Sequence, residues 1–337
     1  MELNILYCSD NNYAPFLGIS MLSLLKANTA ADRVRIYVVA DAISEENLVR
    51  LQRTVDAFGV GRELVLIDAK EIVKKLSDLG VSTYRGGHAA NCRLFYTDYL
   101  PAEATRVLYL DCDTLICDDL GDLFALDMGG APAAWVKDSL TESYKRELGF
   151  AATEPYCNSG VILFDSVNWR TARCREKMIE LMQDPTKRGA CPDQDYLNFL
   201  LKDCAMILSP RYNFQTTHQI CRDNVYFSVV KGEGYYTAEE IAAARKSPAI
   251  LHTYRFLGQF PWHRKNFHAA NDLFWQHVAE SEWSDMEPLE NRGIVFAVER
   301  VVYHLFPKRW FWKFFLREQQ KMFRKTLKRL RVERDKA

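Results

Sequence analysis

Short apolar segments alternate with amphipathic segments along most of the chain. Residues 45–58 repeat apolar side chains at helical spacing behind Ser44, which can cap a helix, and residues 15–27 predict a second helix. The predicted strands are residues 3–8, 35–40, 63–67, 106–110, 133–136, 161–164, 205–208 and 249–252. Strands that are apolar throughout and alternate with helices predict an α/β fold, with a mostly parallel sheet covered by helices on both faces. Ligands of such sheets bind at the carboxyl ends of the strands, so candidate chemistry is sought there.

Composition adds a difference between the two ends of the chain. Of the 337 residues 48% are apolar and 26% charged, which excludes a chain that is disordered throughout. The 44 basic and 44 acidic side chains balance, but residues 300–337 carry 13 Lys/Arg against three Asp/Glu, a net charge of +10. Residues 1–299 therefore carry a net charge of −10. We predict a globular domain over residues 1–290 and a basic amphipathic tail over residues 291–337.

Three further features narrow the class of protein. The amino-terminal segment has no basic region ahead of an apolar core, so we expect no secretory signal and a cytoplasmic location. The nine cysteines include no Cys-x-x-Cys pair and predict packed thiols rather than a disulfide framework or a zinc site. No run of 18 uncharged apolar residues occurs, so no segment is expected to span a bilayer.

Two carboxylates, Asp111 and Asp113, follow the predicted strand at residues 106–110. At this spacing along an extended backbone both can face the same side, which suits a divalent cation that holds a diphosphate. An Asp-x-Asp pair is a weak signal by itself, and the chain has a second one at Asp193 and Asp195. The position directly after a strand favours a metal site for the first pair over a solvated turn.

A series of motifs from about residue 3 to residue 275 resembles glycosyltransferase family 8, the group that contains glycogenin and bacterial lipopolysaccharide galactosyl- and glucosyltransferases. In chain order the motifs are Tyr7-Cys-Ser-Asp-Asn-Asn-Tyr13, Ile43-Ser-Glu-Glu-Asn47, Arg93-Leu94 ahead of Leu100-Pro101, Leu108-Tyr-Leu-Asp-Cys-Asp-Thr114, Tyr156-Cys-Asn-Ser-Gly-Val161, Asp193-Gln-Asp-Tyr-Leu-Asn198, and His252 ahead of Gly258-Gln-Phe-Pro-Trp262. The resemblance implies a GT-A type, Rossmann-like fold with a mixed, mostly parallel sheet.

The resemblance implies a binding site for the nucleotide of a UDP-sugar donor. Asp10 and Asn12 would bond the edge of the uracil, and Tyr13 would offer a stacking face. The alternative is a polar turn that only joins a strand to a helix. Arg93 would reach the phosphates or the sugar, and the alternative for it is a surface arginine.

The metal ligands implied by the resemblance are Asp111, Asp113 and His252. Two carboxylates, one imidazole and phosphate oxygens suit Mn²⁺, because hard oxygen ligands dominate and one nitrogen is admitted. Mg²⁺ is the alternative cation. A single histidine after a strand is more often a structural residue, so this assignment depends on its place in the ordered series.

The donor sugar would contact a further group of residues. By resemblance Asn158 bonds the sugar, Gly160 allows close approach of the backbone, and Gly258 belongs to the donor-binding set. Asp193 would bond sugar hydroxyls, and Gln194 would lie on the sugar face opposite the leaving group. Enzymes of this family retain the anomeric configuration, yet an amide is a poor nucleophile. We therefore expect front-face attack by the acceptor hydroxyl, with Gln194 stabilising positive charge on the sugar.

One position departs from the family pattern. Family members usually carry a lysine that touches the diphosphate just before the Pro-Trp pair, and this chain has Phe260 there. We hypothesise that Arg255, Arg264 or Lys265 supplies the missing positive charge.

The basic tail interleaves aromatic and cationic side chains over residues 294–330. A helix of this composition can bury aromatics at the headgroup boundary while its cations meet anionic lipid. Nucleic acid is the alternative partner for a basic tail. The aromatic cluster at residues 310–315 favours an apolar environment instead, so we expect no binding to nucleic acid. The other alternative is that the aromatic side chains of the tail pack on the globular domain. The apolar positions are Val301, Leu305, Trp310, Phe311, Trp312, Phe314, Phe315, Leu316 and Phe323.

Together these features predict a metal-dependent, retaining transferase that moves galactose or glucose from a UDP-sugar to a glycan, such as the lipid-linked core of a bacterial surface saccharide. Its expected location is the inner face of the cell membrane. Two alternatives stay open. A sugar nucleotidyltransferase would need a Gly-rich phosphate loop near the first strand, and residues 8–12 do not form one. A catalytically silent, membrane-associated scaffold would keep the fold without the reaction.

Overall fold

A computed structural model describes residues 1–83, 86–139, 142–229, 233–264, 266–290 and 293–334. Within these residues ten strands form two sheets. In chain order they are β1 (Glu2–Asp10), β2 (Arg33–Asp41), β3 (Arg62–Asp68), β4 (Arg106–Leu110), β5 (Thr114–Ile116), β6 (Ala133–Lys137), β7 (Cys157–Asp165), β8 (Met206–Ile207), β9 (Phe214–Gln215) and β10 (Ile250–His252). All eight predicted strands are confirmed, and the short β5 and β9 are additional.

The helices flank both sheets and supply the carboxyl-terminal segment. They are α1 (Ala14–Ala27), α2 (Glu45–Asp56), α3 (Lys70–Asp78), α4 (Gly121–Phe124), α5 (Glu142–Glu147), α6 (Ser166–Thr171), α7 (Cys174–Gln183), α8 (Pro192–Leu201), α9 (Thr216–Ile220), α10 (Asp223–Val229), α11 (Ala238–Lys246), α12 (Asn271–Ala279), α13 (Ile294–Leu305) and α14 (Lys308–Arg334). Three 3₁₀ segments span Ala89–Asp98, Pro185–Lys187 and Pro210–Asn213. Both helices predicted from periodicity are confirmed, and the Ser44 hydroxyl caps α2 by accepting from the backbone N–H of Asn47 at 3.3 Å.

The larger sheet has the strand order β3-β2-β1-β4-β7-β6-β8. Its pairs are parallel except those made by β7, which runs antiparallel to β4 and to β6. The mixed, mostly parallel sheet is therefore confirmed. Because β7 runs the other way, its first residues lie at the edge where β1 and β4 end. β7 begins at Cys157, so Asn158 lies in the strand and not in a preceding turn.

Apolar side chains cover both faces of this sheet, as continuous apolar strands predict. Along β1, Leu3 and Ile5 join one buried cluster, while Leu6 and Cys8 join the cluster on the opposite face. Alternation along a strand sends successive side chains to opposite faces, so both faces can be buried only when helices lie on both sides.

The smaller sheet, of order β5-β10-β9, brings the distant His252 to the end of β4. β10 pairs with β5 in antiparallel register, which sets His252 opposite Thr114. Thr114 directly follows Asp113 in the chain. The backbone N–H of Thr253 also donates to the carbonyl of Asp113 at 2.8 Å, so a short β-ladder joins two segments about 140 residues apart.

The basic tail forms α13 and α14, and its aromatic side chains divide into two groups. Phe311 and Trp312 are buried against the body, where Trp312 stacks on Phe256 with ring centroids 5.2 Å apart. For these two residues the expectation of a headgroup boundary is wrong, and the packing alternative is correct. Trp310 and Phe314 remain 73% and 58% exposed. Among the described helices, none combines the length and apolarity needed to cross a bilayer.

Candidate active site

Asp111, Asp113 and His252 meet at the carboxyl end of β4. Each offers one ligand atom, and these atoms lie within 4.8 Å of one another. The Nε2 atom of His252 is 3.2 Å from Oδ1 of Asp113 and 3.7 Å from Oδ2 of Asp111. The structure thus brings together the three residues that the family resemblance implied as metal ligands. We call Asp111, Asp113 and His252 the carboxylate–imidazole cluster.

A residue that sequence reasoning missed orients the imidazole. The Nδ1 atom of His252 is 3.1 Å from Oδ1 of Asn213, and both side chains are buried. When Nδ1 carries the proton and donates to this amide oxygen, the lone pair of Nε2 points toward the carboxylates. Asn213 in turn donates from Nδ2 to Oδ1 of Asn158 at 2.9 Å. Neither contact has a signature in the sequence, because Asn213 ends the 3₁₀ segment Pro210–Asn213, far from His252 along the chain.

The charges within the cluster compensate for its burial. Burial alone would lower the pKa of His252, but the nearby Asp113 and Asp111 carboxylates outweigh it and raise this pKa above its ordinary value. Burial alone would raise the pKa of Asp111, but the Arg93 guanidinium and His252 hold it below its ordinary value. The cluster thus offers two carboxylates, one of them kept ionised by Arg93, and one oriented imidazole. This donor set fits a divalent cation.

Gly160 leaves the space that the cluster occupies. A Cβ atom at this position would lie 2.2 Å from Cε1 of His252 and 2.7 Å from Oδ2 of Asp111. The backbone of β7 therefore approaches the cluster more closely than any other residue type would allow. The signal for this close approach in the sequence is the glycine itself, two residues after Asn158.

Arg93 is a buried residue of the 3₁₀ segment Ala89–Asp98, so the alternative of a surface arginine is wrong. Its side chain is 2% exposed, and Nη2 donates to Oδ1 of Asp111 at 2.8 Å. Nη1 donates to the carbonyl of Ser159 at 2.6 Å, and Nε lies 3.5 Å from Oδ2 of Asp193. A buried guanidinium requires such partners. Arg93 therefore links the carboxylate–imidazole cluster to Asp193.

Asp193 and Gln194 lie in the first turn of α8 and are buried against the start of β7. Oδ2 of Asp193 accepts from the Ser159 hydroxyl at 2.9 Å, and Oε1 of Gln194 accepts from the Ser159 backbone N–H at 3.1 Å. Nδ2 of Asn158 lies 3.4 Å from the same Gln194 oxygen. The structure thus gathers Asn158, Asp193 and Gln194 at one edge of the sheet.

Asp138 lies with Asn158 and Gln194 at this edge, and it was not identified from the sequence. Its Oδ2 accepts from Nδ2 of Asn158 at 3.1 Å and from Nε2 of Gln194 at 3.4 Å. Asp138 follows β6 directly, so the rule that ligands bind at the carboxyl ends of strands could have found it. Its carboxylate sets the orientation of both amides.

The polar turn after β1 has contacts of its own. Oδ1 of Asp10 accepts from the backbone N–H of Tyr13 at 3.0 Å, as a turn residue would. Tyr13 packs edge-on against Trp262, with ring centroids 6.5 Å apart, and Asn12 is exposed. These contacts place the turn beside the loop that follows β10.

The loop after β10 accounts for the departure at Phe260. This side chain is 7% exposed and stacks on Trp262, with ring centroids 4.4 Å apart. Gly258 has φ +75°, and a Cβ atom there would lie 2.2 Å from Cγ of Phe296 in α13. In this structure, therefore, Gly258 accommodates an aromatic ring of α13, and Phe260 is part of an apolar cluster.

The three cations suggested as replacements for the lysine differ in their surroundings. Arg264 pairs with Glu290 at 2.8 Å, and the Arg255 guanidinium lies over the Phe296 ring at 5.3 Å from its centroid. Lys265 lies outside the described residues. The hypothesis that one of them contacts a diphosphate stays a prediction.

Comparison with known proteins gives an independent result. The family model of glycosyl transferase family 8 matches residues 4–266. The chain is 29% identical to General stress protein A of Bacillus subtilis (strain 168), over 84% of this chain and 95% of that protein. It is 26% identical to the lipopolysaccharide 1,2-glucosyltransferase of Escherichia coli (strain K12), over 87% of this chain and 82% of that protein. The solved structure of galactosyltransferase LgtC with donor and acceptor sugar analogs matches with a TM-score of 0.62 at 22% identity, covering 83% of this chain and 96% of that one.

The mixed sheet with a carboxylate–imidazole cluster at its carboxyl edge, together with these similarities, defines a glycosyltransferase of the GT-A fold. Because the family model covers most of its length, the chain belongs to glycosyl transferase family 8. The resemblance found in the sequence motifs is confirmed.

Proposed function

We propose that this enzyme is a retaining, metal-dependent hexosyltransferase that moves galactose or glucose from a UDP-sugar to a glycan of a membrane-linked surface saccharide. The observation that carries the proposal is the convergence of Asp111, Asp113 and His252 beside Arg93 and Asp193. The names of two similar proteins, a lipopolysaccharide glucosyltransferase and a galactosyltransferase, support the choice of hexose and of acceptor.

The carboxylate–imidazole cluster would hold Mn²⁺, with Mg²⁺ as the alternative. When bound, the cation would supply positive charge that favours departure of the diphosphate. Arg93 contributes to the same end because its buried charge keeps Asp111 ionised and lies at the edge where the phosphates would bind. Asp10, Asn12 and Tyr13 would hold the uracil at the end of β1.

The sugar would lie between the cluster and the first turn of α8. Asp193, Asn158 and Asp138 offer the oxygens and the amide that sugar hydroxyls bond. Gln194 presents an amide whose Oε1 already accepts from Ser159, so the group is held in place before the donor binds. Such fixed dipoles stabilise charge that develops in the transition state.

We infer a front-face reaction from the residues at this position. The oxygen of the acceptor hydroxyl forms a bond to the anomeric carbon as the bond from that carbon to the UDP oxygen breaks, and the departing phosphate takes the hydroxyl proton. The alternative is a covalent sugar on Asp193, whose carboxylate lies 3.5 Å from Arg93 and accepts from Ser159. These contacts make it a weaker nucleophile. A sugar trapped covalently on Asp193 or Gln194 would overturn the front-face reaction.

A donor hydrolysis screen tests the proposal before any acceptor is known. The purified chain is incubated with UDP-galactose, UDP-glucose, UDP-N-acetylglucosamine or GDP-mannose, with Mn²⁺, with Mg²⁺ or with a chelator. We expect slow release of UDP from UDP-galactose or UDP-glucose that requires the metal. His252→Ala should abolish this metal-dependent release of UDP, and the matched control His277→Ala, in α12, should retain it. Hydrolysis of GDP-mannose alone, or hydrolysis that is unchanged by chelator, contradicts the proposal.

The membrane part of the proposal is supported by one exposed face of α14. Trp310, Lys313, Phe314 and Arg317 recur at helical spacing and are all exposed. Aromatic and basic side chains on one face are typical of helices that lie at a membrane surface. The nine cysteines are free thiols, which agrees with a reducing compartment and so with the cytoplasmic face of the membrane.

Vesicle sedimentation tests this face. Binding to vesicles that contain anionic lipid should fall at least about tenfold, or about 1.4 kcal/mol, in the double variant Trp310→Ser, Phe314→Ser, since full burial of each aromatic ring contributes roughly 1.5–3 kcal/mol. Val167→Ser, which removes a 52% exposed apolar side chain from α6, is the matched control and should bind as the natural sequence does. Equal binding by all three proteins contradicts membrane attachment through this face.

A further inference from the structure

Asp195, the second carboxylate of the Asp-x-Asp pair in α8, is fully buried and outside the carboxylate–imidazole cluster. Its two oxygens are shared by two tyrosines. Oδ2 accepts from the Tyr144 hydroxyl at 2.6 Å, and Oδ1 accepts from the Tyr156 hydroxyl at 2.5 Å. The backbone N–H of Cys191 donates to Oδ2 at 2.9 Å. We call Asp195, Tyr144 and Tyr156 the tyrosine–aspartate cluster.

The tyrosine–aspartate cluster also contacts the carboxyl-terminal helix. The ring of Phe323 in α14 lies 4.4 Å from the ring of Tyr144, measured between centroids. Leu327, one turn further along α14, is 5% exposed and belongs to the same apolar cluster as Tyr144 and Tyr156. The docked helix α14 therefore covers the tyrosines that hold Asp195.

An ion pair lies at the same contact between α14 and α5. Nε of Arg324 is 2.6 Å from Oε1 of Glu147, and the Arg324 side chain is 57% exposed. A pair with this exposure contributes at most about 1 kcal/mol. The apolar contacts of Phe323 and Leu327 thus carry most of the docking energy at this end of α14.

Asp195 fixes the first turn of α8 from one side while β7 fixes it from the other. The Asp195 backbone N–H donates to the Cys191 carbonyl at 2.7 Å, and the Asp195 carboxylate accepts from the Cys191 N–H. On the opposite side, Ser159 in β7 donates to Gln194 and to Asp193. Removal of the hydrogen bonds on either side leaves buried polar groups without partners. The first turn of α8 can shift to reduce this energetic cost.

We propose that the tyrosine–aspartate cluster is a positioning device through which docked α14 holds Asp193 and Gln194 in place for sugar transfer. The inference rests on the proposed function, because the roles of Asp193 and Gln194 at the sugar belong to it. Catalytic steps lose rate steeply when reacting groups shift by about 1 Å, so a displaced turn lowers turnover more than it weakens donor binding. The cluster residues are positioning residues, since none contacts the carboxylate–imidazole cluster.

The test uses the full chain and a matched control. Tyr144→Phe keeps the ring against Phe323 and removes only the hydroxyl that donates to Asp195. Tyr7→Phe also removes one buried hydroxyl, which pairs with Ser20 of α1 at 3.0 Å, outside α8. With UDP-sugar hydrolysis as the assay, Tyr144→Phe should lower kcat about tenfold with KM for the donor within about twofold, equivalent to about 1.4 kcal/mol in the barrier. Tyr7→Phe should keep kcat within about twofold of the natural sequence.

A second arm tests the contribution of α14. Phe323→Ala should lower kcat as Tyr144→Phe does, and the double variant should lose little more than either single variant, because both act through one cluster. Hydrogen exchange followed by mass spectrometry should show faster exchange over residues 190–198 in Phe323→Ala. This readout does not depend on activity.

Each outcome has a distinct meaning. If Tyr144→Phe is folded and its kcat matches that of Tyr7→Phe, the positioning role is overturned. Additive losses in the double variant, with unchanged exchange over residues 190–198, overturn the link to α14. Absence of turnover by the natural sequence with every donor contradicts the proposed function instead, and the exchange experiment then still decides whether α14 stabilises the first turn of α8.

Discussion

Gly160 is the residue at which β7 comes closest to the carboxylate–imidazole cluster. Ala at this position would place a methyl group 2.2 Å from Cε1 of His252, so the imidazole or the strand must move. We expect Gly160→Ala to weaken Mn²⁺ binding at least about tenfold, or about 1.4 kcal/mol, in isothermal titration calorimetry. Gly87→Ala, which meets no atom within 4 Å, is the control and should bind as the natural sequence does. Equal affinities for both variants would mean that the three residues do not hold the ion.

Asp195 gives the stability of the protein a specific dependence on pH. Burial raises its pKa to about 7, although Tyr144, Tyr156 and the Cys191 N–H donate hydrogen bonds that lower it. In the unfolded chain an aspartate titrates near pH 4, so between about pH 4 and pH 7 the folded state holds this proton more tightly. The contribution of Asp195 to the free energy of unfolding therefore rises as the pH falls through this window.

Asp195→Asn removes that titration and isolates it from the other groups. The difference in unfolding free energy between the natural sequence and Asp195→Asn should grow as the pH falls from about 8 to about 5, by up to about 2.7 kcal/mol. Urea denaturation at several pH values measures it. The buried His218 and His268 have lowered pKa values and change stability in the opposite direction, but both proteins share them, so their effect cancels. A difference that is constant with pH would contradict a raised pKa at Asp195.

At the scale of single residues, position relative to a strand made part of the site predictable. Asp111 and Asp113 follow β4, and the same rule covers Asp138, which follows β6. Asn213 and Tyr144 were not predictable, because each acts through a partner that is distant in sequence and brought close only by the folded chain.

At the scale of elements, α14 contains two tryptophans, two residues apart, that differ in solvent exposure. Trp312 is 2% exposed and stacks on Phe256, whereas Trp310 is 73% exposed. We expect Trp312→Ala to lower the free energy of unfolding by about 3–5 kcal/mol, as removal of a buried aromatic ring does. Trp310→Ala should change it by less than about 0.5 kcal/mol. Equal effects of the two substitutions on chemical denaturation would contradict docking of α14 on the body.

The elements were predictable where they are long and apolar. The eight runs of apolar residues all became strands, and both predicted helices lie within two residues of their expected bounds. β5 and β9 have three and two residues and lie outside the predicted apolar runs, whereas the equally short β8 and β10 each lie within a predicted run. The direction of β7 was also beyond sequence patterns, because a buried strand is apolar whichever way it runs. Yet that direction is what brings Asn158 and Gly160 to the active edge.

At the scale of the whole molecule, the site forms where two sheets meet. The larger sheet supplies Asp111 and Asp113 at its carboxyl edge, and the smaller sheet delivers His252 through the pairing of β10 with β5. The resemblance of the ordered motif series to the family implied that these three residues converge. No single motif could have predicted it, because each motif contains only part of the ligand set. The packing of the tail on the body was left open by composition, because aromatic and basic side chains suit both a membrane surface and a protein surface. The division of the chain at residue 290 stays a prediction.

Crystals of the full chain soaked with Mn²⁺ and UDP provide the most direct test of the central claim, that Asp111, Asp113 and His252 hold a divalent cation for the donor. Anomalous scattering from manganese locates the ion without reference to activity. The proposed site predicts one strong peak at about 2.0–2.6 Å from a carboxylate oxygen of each aspartate and from Nε2 of His252, with phosphate oxygens of UDP on the same ion. Bound UDP with no manganese between these three side chains, or manganese bound elsewhere, would contradict it.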